Sequence, residues 1–331
     1  MRKRFTETHG ISVLLRLGQA NNGCIRYAVR MERQQFATLY AKAQQHRDQL
    51  RGNSQLAEFF PPGSRPFPPV LGFGLPHNER PVPVVTIALN ASAEEFPIHL
   101  PIGDDIQKQW VAQGNYFANP YENWWSLAGE MLRAATNGQL TYGSTAAHVD
   151  FTAIVTTNGM DTTYNKIKNR VREDVRSWME HSLTDTFVQL LSSLVQTNGT
   201  KAALVLGFAP AFPGKDDRAG CITLDDTFWR ANTSVNFVGE DGVAEKDQPT
   251  VSWGRMTGRC VPENLRKLPF FFVSKGPSSL YSTVRGDDAS RAPLVAAAAR
   301  LAPHLGSVLG ITSAPRAGFM VRRKSPTSTA T

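Results

Sequence analysis

Four short runs of nearly unbroken apolar residues, spaced by stretches of helical periodicity, constrain this chain more than any other feature of its sequence. They are VPVVTIALN (82–90), AHVDFTAIVTT (147–157), KAALVLGFA (201–209) and LPFFFVS (268–274). A strand that is apolar on both faces has to be covered on both, which is the condition of a parallel sheet between helices. Residues 123–135, 166–195 and 289–305 have helical spacing between and after these runs, the second with a break near His181–Ser182. The expectation is an α/β fold, with a central parallel sheet of about four strands flanked by helices and right-handed crossovers. Ahead of it, residues 1–81 read as a helical and proline-rich N-terminal extension. In it, residues 32–50 place Phe36, Leu39, Tyr40 and Ala43 on one helical face, and 59–81 is too crowded with prolines for regular structure. The α/β domain spans 82–312 with an insertion at 214–267 long enough to hold hairpins of its own, and 313–331 is a basic flexible tail.

Composition narrows the function classes. Hydrophobic residues make up 41% of the chain and aromatics 9%, enough for a sizeable core. No run reaches the roughly 18 apolar residues of a membrane span, and the basic start MRKRFTETHG lacks the apolar stretch of a signal peptide. Cys24, Cys221 and Cys260 are too few and too far apart for a disulfide framework or a four-thiolate cluster. A cytoplasmic protein without membrane contact is expected. The net charge of +8 favours a polyanionic partner. Its basic residues concentrate at Lys166, Lys168, Arg170, Arg172 and Arg176, and again at Arg316, Arg322, Arg323 and Lys324.

Ligands of open α/β sheets bind beyond the carboxyl ends of the strands. Here that directs attention to 90–92, 152–157, 208–210 and 274–280. No glycine-rich dinucleotide fingerprint follows the first strand, and no phosphate loop of Walker spacing occurs, so no cofactor is expected. The segment NYFANPYENWW (115–125) places five aromatic residues in eleven around an Asn-Pro turn. Trp124, Trp125 and Leu127 suit the core face of a helix. Tyr116 and Phe117 precede that helix and suit either loop packing or a stacking surface for a flat ligand.

Four segments in order carry a family resemblance. ALNAS (88–92) after the first strand, YFANPYENWW, LVLG (204–207) and FFVSKGPSSL (271–280) resemble the motifs of the uracil-DNA glycosylase superfamily. These are a G-[IM]-N-P-[GS] turn, an aromatic segment like YxxPxNxFW, and a late strand leading into HPSPLS. The resemblance covers roughly residues 82–305. It implies that Asn90 matches the water-positioning asparagine of the mismatch and single-strand-selective branches. The chemistry requires such a group, because cleavage of an N-glycosidic bond builds an oxocarbenium-like sugar and needs an oriented water beneath C1′. It also implies a flipped base stacked on an aromatic ring, here Phe117 with Tyr116 beside it and Asn119 shaping the pocket wall. Ser92, Ser278 and Ser279 fall where phosphates are held.

The departures from the pattern bear on substrate. Gly276 stands where many relatives carry a histidine that stabilises the departing base. Lys275 could supply that positive charge or meet a phosphate. The base-reading asparagine of uracil enzymes is replaced by Thr152, or by Asp150 if the register shifts. A carboxylate only accepts hydrogen bonds, so Asp150 suits an exocyclic amine such as cytosine N4; it could equally be a structural acid near the strand end. His148 reads as a satisfied core histidine. Asp104–Asp105 and Asp216–Asp217 read as helix starts or solvated loops, with no third ligand for a metal. The resemblance therefore implies a monomeric DNA glycosylase that removes a modified cytosine, such as a hydroxymethylated or glucosylated one, from viral DNA as a host defence. Repair of uracil or mismatched thymine is the enzymatic alternative, and a DNA-binding module without catalysis the non-enzymatic one.

Overall fold

The structure is a computed structural model and describes residues 33–53, 67–76, 80–156, 182–207, 236–241, 248–277 and 288–311. All four apolar runs form strands: β2 (Val84–Ser92), β3 (Ala146–Thr156), β4 (Ala202–Leu206) and β7 (Pro269–Val273). They lie side by side in the order β3-β2-β4-β7, and all three pairings are parallel.

The sheet is nevertheless mixed and has seven strands, which corrects the expectation of about four parallel ones. At one edge β1 (Gly72–Phe73) pairs antiparallel with β3, within the proline-rich stretch expected to be irregular throughout. Prolines nearby (Pro68, Pro69 and Pro76) keep that strand to two residues, since proline cannot donate to a ladder. At the other edge the hairpin β5 (Asn236–Asp241) and β6 (Val251–Thr257) adds antiparallel to β7. That hairpin belongs to the insertion at 214–267, of which 214–235 and 242–247 lie outside the described residues.

Strand alternation sends side chains to two faces, and each has its own core. Val85, Ile87, Val149, Phe151, Val205, Phe270 and Phe272 are buried on the first face. It is covered by α1 (Arg33–Arg51), a π-helical turn (Ser182–Phe187) running into α4 (Val188–Asn198), and the short α5 (Glu263–Arg266). Val84, Ala146, Leu204, Phe271 and Val273 are buried on the second face, against α3 (Glu122–Ala135), α6 (Asp288–Arg300) and α7 (Ala302–Leu309). Two covered faces account for the unbroken apolar runs. The break expected near His181–Ser182 falls at the edge of the described residues, where the π-helical turn begins.

The described residues ahead of residue 82, at 33–53 and 67–76, share this core. Phe36 and Tyr40 on α1 are fully buried, and the Phe36 ring lies 4.9 Å from that of Trp110 on α2 (Ile106–Asn115). Arg47 reaches from α1 to Asp104 with two hydrogen bonds, of 2.8 and 3.0 Å. The Asp105 carboxylate accepts from the backbone N–H groups of Gln107 and Lys108 and caps α2, so this acid pair does open a helix. The alanine-rich stretch at 289–305 forms α6 and α7, which meet at Leu301. No single helix among the described residues is long and apolar enough to cross a membrane, and the α6–α7 pair is bent by 48°. The basic clusters at 166–176 and 316–324 lie outside the described residues.

Candidate active site

In the parallel pair β2–β3, Thr86 stands beside His148, Ala88 beside Asp150 and Asn90 beside Thr152. Alternation therefore lines up one polar row on the second face of the sheet, running toward the carboxyl ends of both strands. Polar side chains at the centre of a sheet are expensive to bury unless they are paired. Thr86, His148, Asp150 and Thr152 are all buried. Their cover is the aromatic segment noted in the sequence. The rings of Trp124 and Trp125 lie 5.2 and 4.9 Å from the His148 ring, and Phe73 of β1 lies at 5.9 Å. The aromatic residues of 115–125 thus meet a buried polar strip of the sheet rather than a purely apolar core.

Within the row, a chain of hydrogen bonds runs to Asp150. Tyr142 OH donates to Thr86 Oγ1 at 2.8 Å, and Thr86 Oγ1 lies 2.8 Å from His148 Nδ1. On the other side of the ring His148 Nε2 is 3.3 Å from Asp150 Oδ1. A ring nitrogen set against a carboxylate oxygen carries the hydrogen, so Nε2–H donates to Oδ1. His148 is, as expected, a satisfied core histidine, and it also holds Asp150 in place. The second oxygen, Asp150 Oδ2, is buried and has no hydrogen-bond partner among the described residues. Asp150 lies within β3, opposite Ala88 of β2, rather than at the strand end where the sequence put it. A desolvated acceptor left open there is what a site awaiting a donor would present.

A second carboxyl group shares this region, and sequence reading passed over it. The short 3₁₀ turn Ala93–Glu95 follows β2 directly and carries Glu95 into the interior, where the residue is 5% exposed. Glu95 Oε2 accepts a hydrogen bond from Tyr116 OH. That hydroxyl in turn accepts from the Tyr121 backbone N–H at 3.0 Å and from Trp125 Nε1–H at 2.8 Å. Burial pushes the Glu95 carboxyl up to about 7, and the nearby charge of Asp150 acts in the same direction, while the hydrogen bonds from Tyr116 and Trp125 oppose both. Burial and the charge of Glu95 together raise the Tyr116 phenol above its ordinary range. The folded-state value of Glu95 lies above the ordinary 4.5. The stability that its proton contributes is therefore complete below that ordinary value and is lost as pH rises through the folded one.

The remaining residues singled out in the sequence are dispersed around this centre. Asn90 is half-buried on β2, and its Nδ2 donates to the carbonyls of Ala91 (3.0 Å) and Ile154 (3.3 Å). Tying down the donor side of the amide fixes where its oxygen points. Thr152 Oγ1 accepts from the Ile154 N–H at 3.4 Å. Ser92 Oγ accepts from the Glu94 N–H at 3.2 Å and caps the turn that carries Glu95. Tyr116 is buried, with its hydroxyl committed as above. Phe117 is half-buried and stacks on Tyr142, with centroids 4.7 Å apart at 20°. One of its faces is thus already occupied by protein. A Cβ at Gly74, whose φ is +65°, would lie 2.5 Å from the Phe117 ring, so only glycine lets the ring settle there. Asn119 is exposed, and its backbone carbonyl accepts from His99 Nδ1–H at 2.8 Å. Lys275 is exposed just beyond β7, while Ser278 and Ser279 lie outside the described residues.

Gly276 has a structural reason to depart from histidine. A Cβ built on it would stand 2.9 Å from Gly207 Cα, Gly207 N and Leu206 C, all of them backbone at the end of β4. No side chain fits where β4 and β7 close on each other. Gly276→Ala is expected to cost about 1–3 kcal/mol through overpacking. Urea unfolding should show this as a lower midpoint at unchanged slope; an unchanged midpoint would mean that the strand ends part freely.

Among the described residues no group of three or more His, Cys, Asp or Glu side chains could hold a metal ion. No protein-family model, no curated protein and no solved structure matches the chain.

Proposed function

We propose that this protein is a DNA glycosylase that flips out a modified cytosine of double- or single-stranded DNA and hydrolyses its N-glycosidic bond. The single observation that supports this best is Asp150: a buried carboxylate held at one oxygen by His148, with the other unpartnered among the described residues. The open oxygen can accept from an exocyclic amine such as cytosine N4. Its β3 neighbour Thr152 stands beside Asn90 of β2, which orients the attacking water in this reading. The aromatic cluster around Phe117, with Tyr142 stacked on it and Trp125 at its edge, supplies the ring surface for the extruded base in this reading. Lys275, exposed at the end of β7, meets the DNA backbone or the departing base.

A hypermodified base needs room, and the insertion is the part of the chain that can provide it. Thr250 is tied to Ser274 at the carboxyl end of β7 by two hydrogen bonds, of 2.9 and 3.0 Å. The insertion is therefore anchored at the edge where the strand ends converge. Removal of such a base from viral DNA would act as a host defence, and excision of uracil or mismatched thymine is the competing outcome.

The test is incubation with genomic DNAs that differ only in cytosine modification, followed by detection of abasic sites. Release from hydroxymethylated or glucosylated DNA and not from unmodified DNA is expected. No abasic product from any of them, nor from oligonucleotides carrying uracil or a mismatched thymine, would leave a DNA-binding module. Asp150→Asn presents an amide in place of the acceptor and should weaken transition-state binding of a modified cytosine by about 1–3 kcal/mol. Single-turnover release on matched oligonucleotides checks this, and an equal slowing of cytosine and uracil bases would make Asp150 a structural residue.

A further inference from the structure

Two buried carboxyl groups share one region of the molecule, Asp150 as the acceptor for the base amine and Glu95 with no role in that contact. Glu95 is 5% exposed at the turn after β2, and Asp150 is 4% exposed on β3. Tyr116 OH binds Glu95 at Oε2 and holds the carboxyl group at the edge of the aromatic wall. The aromatic wall connects the two acids. Trp125 donates to Tyr116 OH on the Glu95 side and lies 4.9 Å from the His148 ring, which holds Asp150. Asp150 Oδ2, buried and unpartnered among the described residues, is the independent sign that something polar completes the site.

We propose that Glu95 is the general acid of the reaction, delivering a proton to the departing base while Asp150 accepts from its amine. The inference rests on the glycosylase reading and names the chemistry that reading lacked. Departure of cytosine as an anion is unfavourable, and a histidine cannot help from position 276, where a side chain would strike the backbone of Gly207. The Watson–Crick edge of cytosine presents a donor at N4 and, next to it, acceptors at N3 and O2. With Asp150 Oδ2 as the acceptor and Glu95 as the donor, the two carboxyl groups complement N4 and N3. Uracil presents an acceptor and then a donor, the reverse order, so the same pair discriminates against it.

The step balances without a co-reactant. The Glu95 O–H bond breaks as its proton binds N3, and the C1′–N1 bond breaks with its electron pair passing to the ring, releasing neutral cytosine. Water, oriented by Asn90, forms the new C1′–O bond and returns its proton to the Glu95 carboxylate. The titratable groups around Glu95 are Tyr116 from the turn after α2, Asp150 from β3 with His148 behind it, and Glu94 beside it in the chain. Burial sets its carboxyl at about 7, near the pH at which a general acid works best.

Glu95→Gln keeps the shape of the side chain and an oxygen for Tyr116 and removes the acid. Single-turnover release from an oligonucleotide carrying 5-hydroxymethylcytosine would be followed for both proteins from pH 5.5 to 8.5, the range flanking the acid at about 7. The wild-type rate should fall about tenfold per unit above that value, and the variant should be about 10²-fold slower or worse with a flat profile. A variant that keeps the wild-type profile, or more than about a tenth of its rate, overturns the assignment. Infrared difference spectra of wild type against Glu95→Gln supply a readout independent of turnover. A protonated-carboxyl stretch that the variant lacks, and that fades as pH rises through 7, is expected. Absence of that band overturns the proposal whatever the rates. A band present with no base released from any DNA overturns the glycosylase reading instead, and the general-acid role falls with it.

Discussion

Asn90→Ala is expected to slow base release by about 10²-fold or more, equivalent to roughly 2.7 kcal/mol of barrier, while DNA affinity stays nearly unchanged. The asparagine is placed by a short chain of causes. It is one of the last residues of β2, paired with Thr152 of β3, at the end of the sheet where Ser92 turns the chain into the Glu95 segment. Its amide hydrogens are held by the carbonyls of Ala91 and Ile154, so the orientation of its oxygen is set before any substrate arrives. A pre-oriented acceptor contributes to water attack and little to phosphate binding, hence the split between rate and affinity. Binding would be followed by fluorescence anisotropy and cleavage by single turnover on the same oligonucleotide. Retention of more than about a tenth of wild-type turnover would remove Asn90 from the reaction. Loss of binding in parallel with rate would make it a structural residue of the strand end.

Phe36→Ala is expected to destabilise the fold by about 3–5 kcal/mol, the range for deleting a buried aromatic side chain. Phe36 is fully buried on α1, lies 5.6 Å from the ring of Tyr40 and 4.9 Å from that of Trp110, and belongs to the same cluster as the strand residues Ile87 and Val149. The loss should appear as a lower midpoint of one cooperative denaturant transition, read alike by tryptophan fluorescence and far-ultraviolet circular dichroism. A separate early transition, or a change below about 1 kcal/mol, would mean that α1 is an appendage the sheet does not need.

Much of the α/β framework was legible in the sequence, because continuous apolar runs separated by helical periods admit few arrangements. The runs at 82–90, 147–157, 201–209 and 268–274 became the four parallel strands, and the aromatic helix at 123–135 became α3. The flanking antiparallel strands were not legible as part of the sheet. Two residues, Gly72–Phe73, carry no periodicity, and β5–β6 lies within a long insertion whose attachment to β7 depends on contacts distant in sequence. The single alanine-rich helix became two because the chain turns at Leu301, between Pro293 and Pro303.

The same division runs through the candidate site. By itself the sequence placed Asn90, Asp150 and Thr152 near strand ends and marked 115–125 as unusual, because alternation and composition are local properties. Only the tertiary structure decided that β2 and β3 run side by side in a register that unites Thr86 and Asn90 with His148, Asp150 and Thr152. It also decided that the aromatic segment covers that row, and that Gly276 is a glycine because β4 and β7 approach too closely for a Cβ. Glu95 shows the difference most plainly. As one acid of a Glu-Glu pair in a loop it resembles any solvated carboxylate in the sequence. Its raised affinity for a proton comes from burial, to which the charge of Asp150 adds and which the hydrogen bonds of Tyr116 and Trp125 oppose; these residues lie 21 to 55 positions away, and only the fold brings them to it.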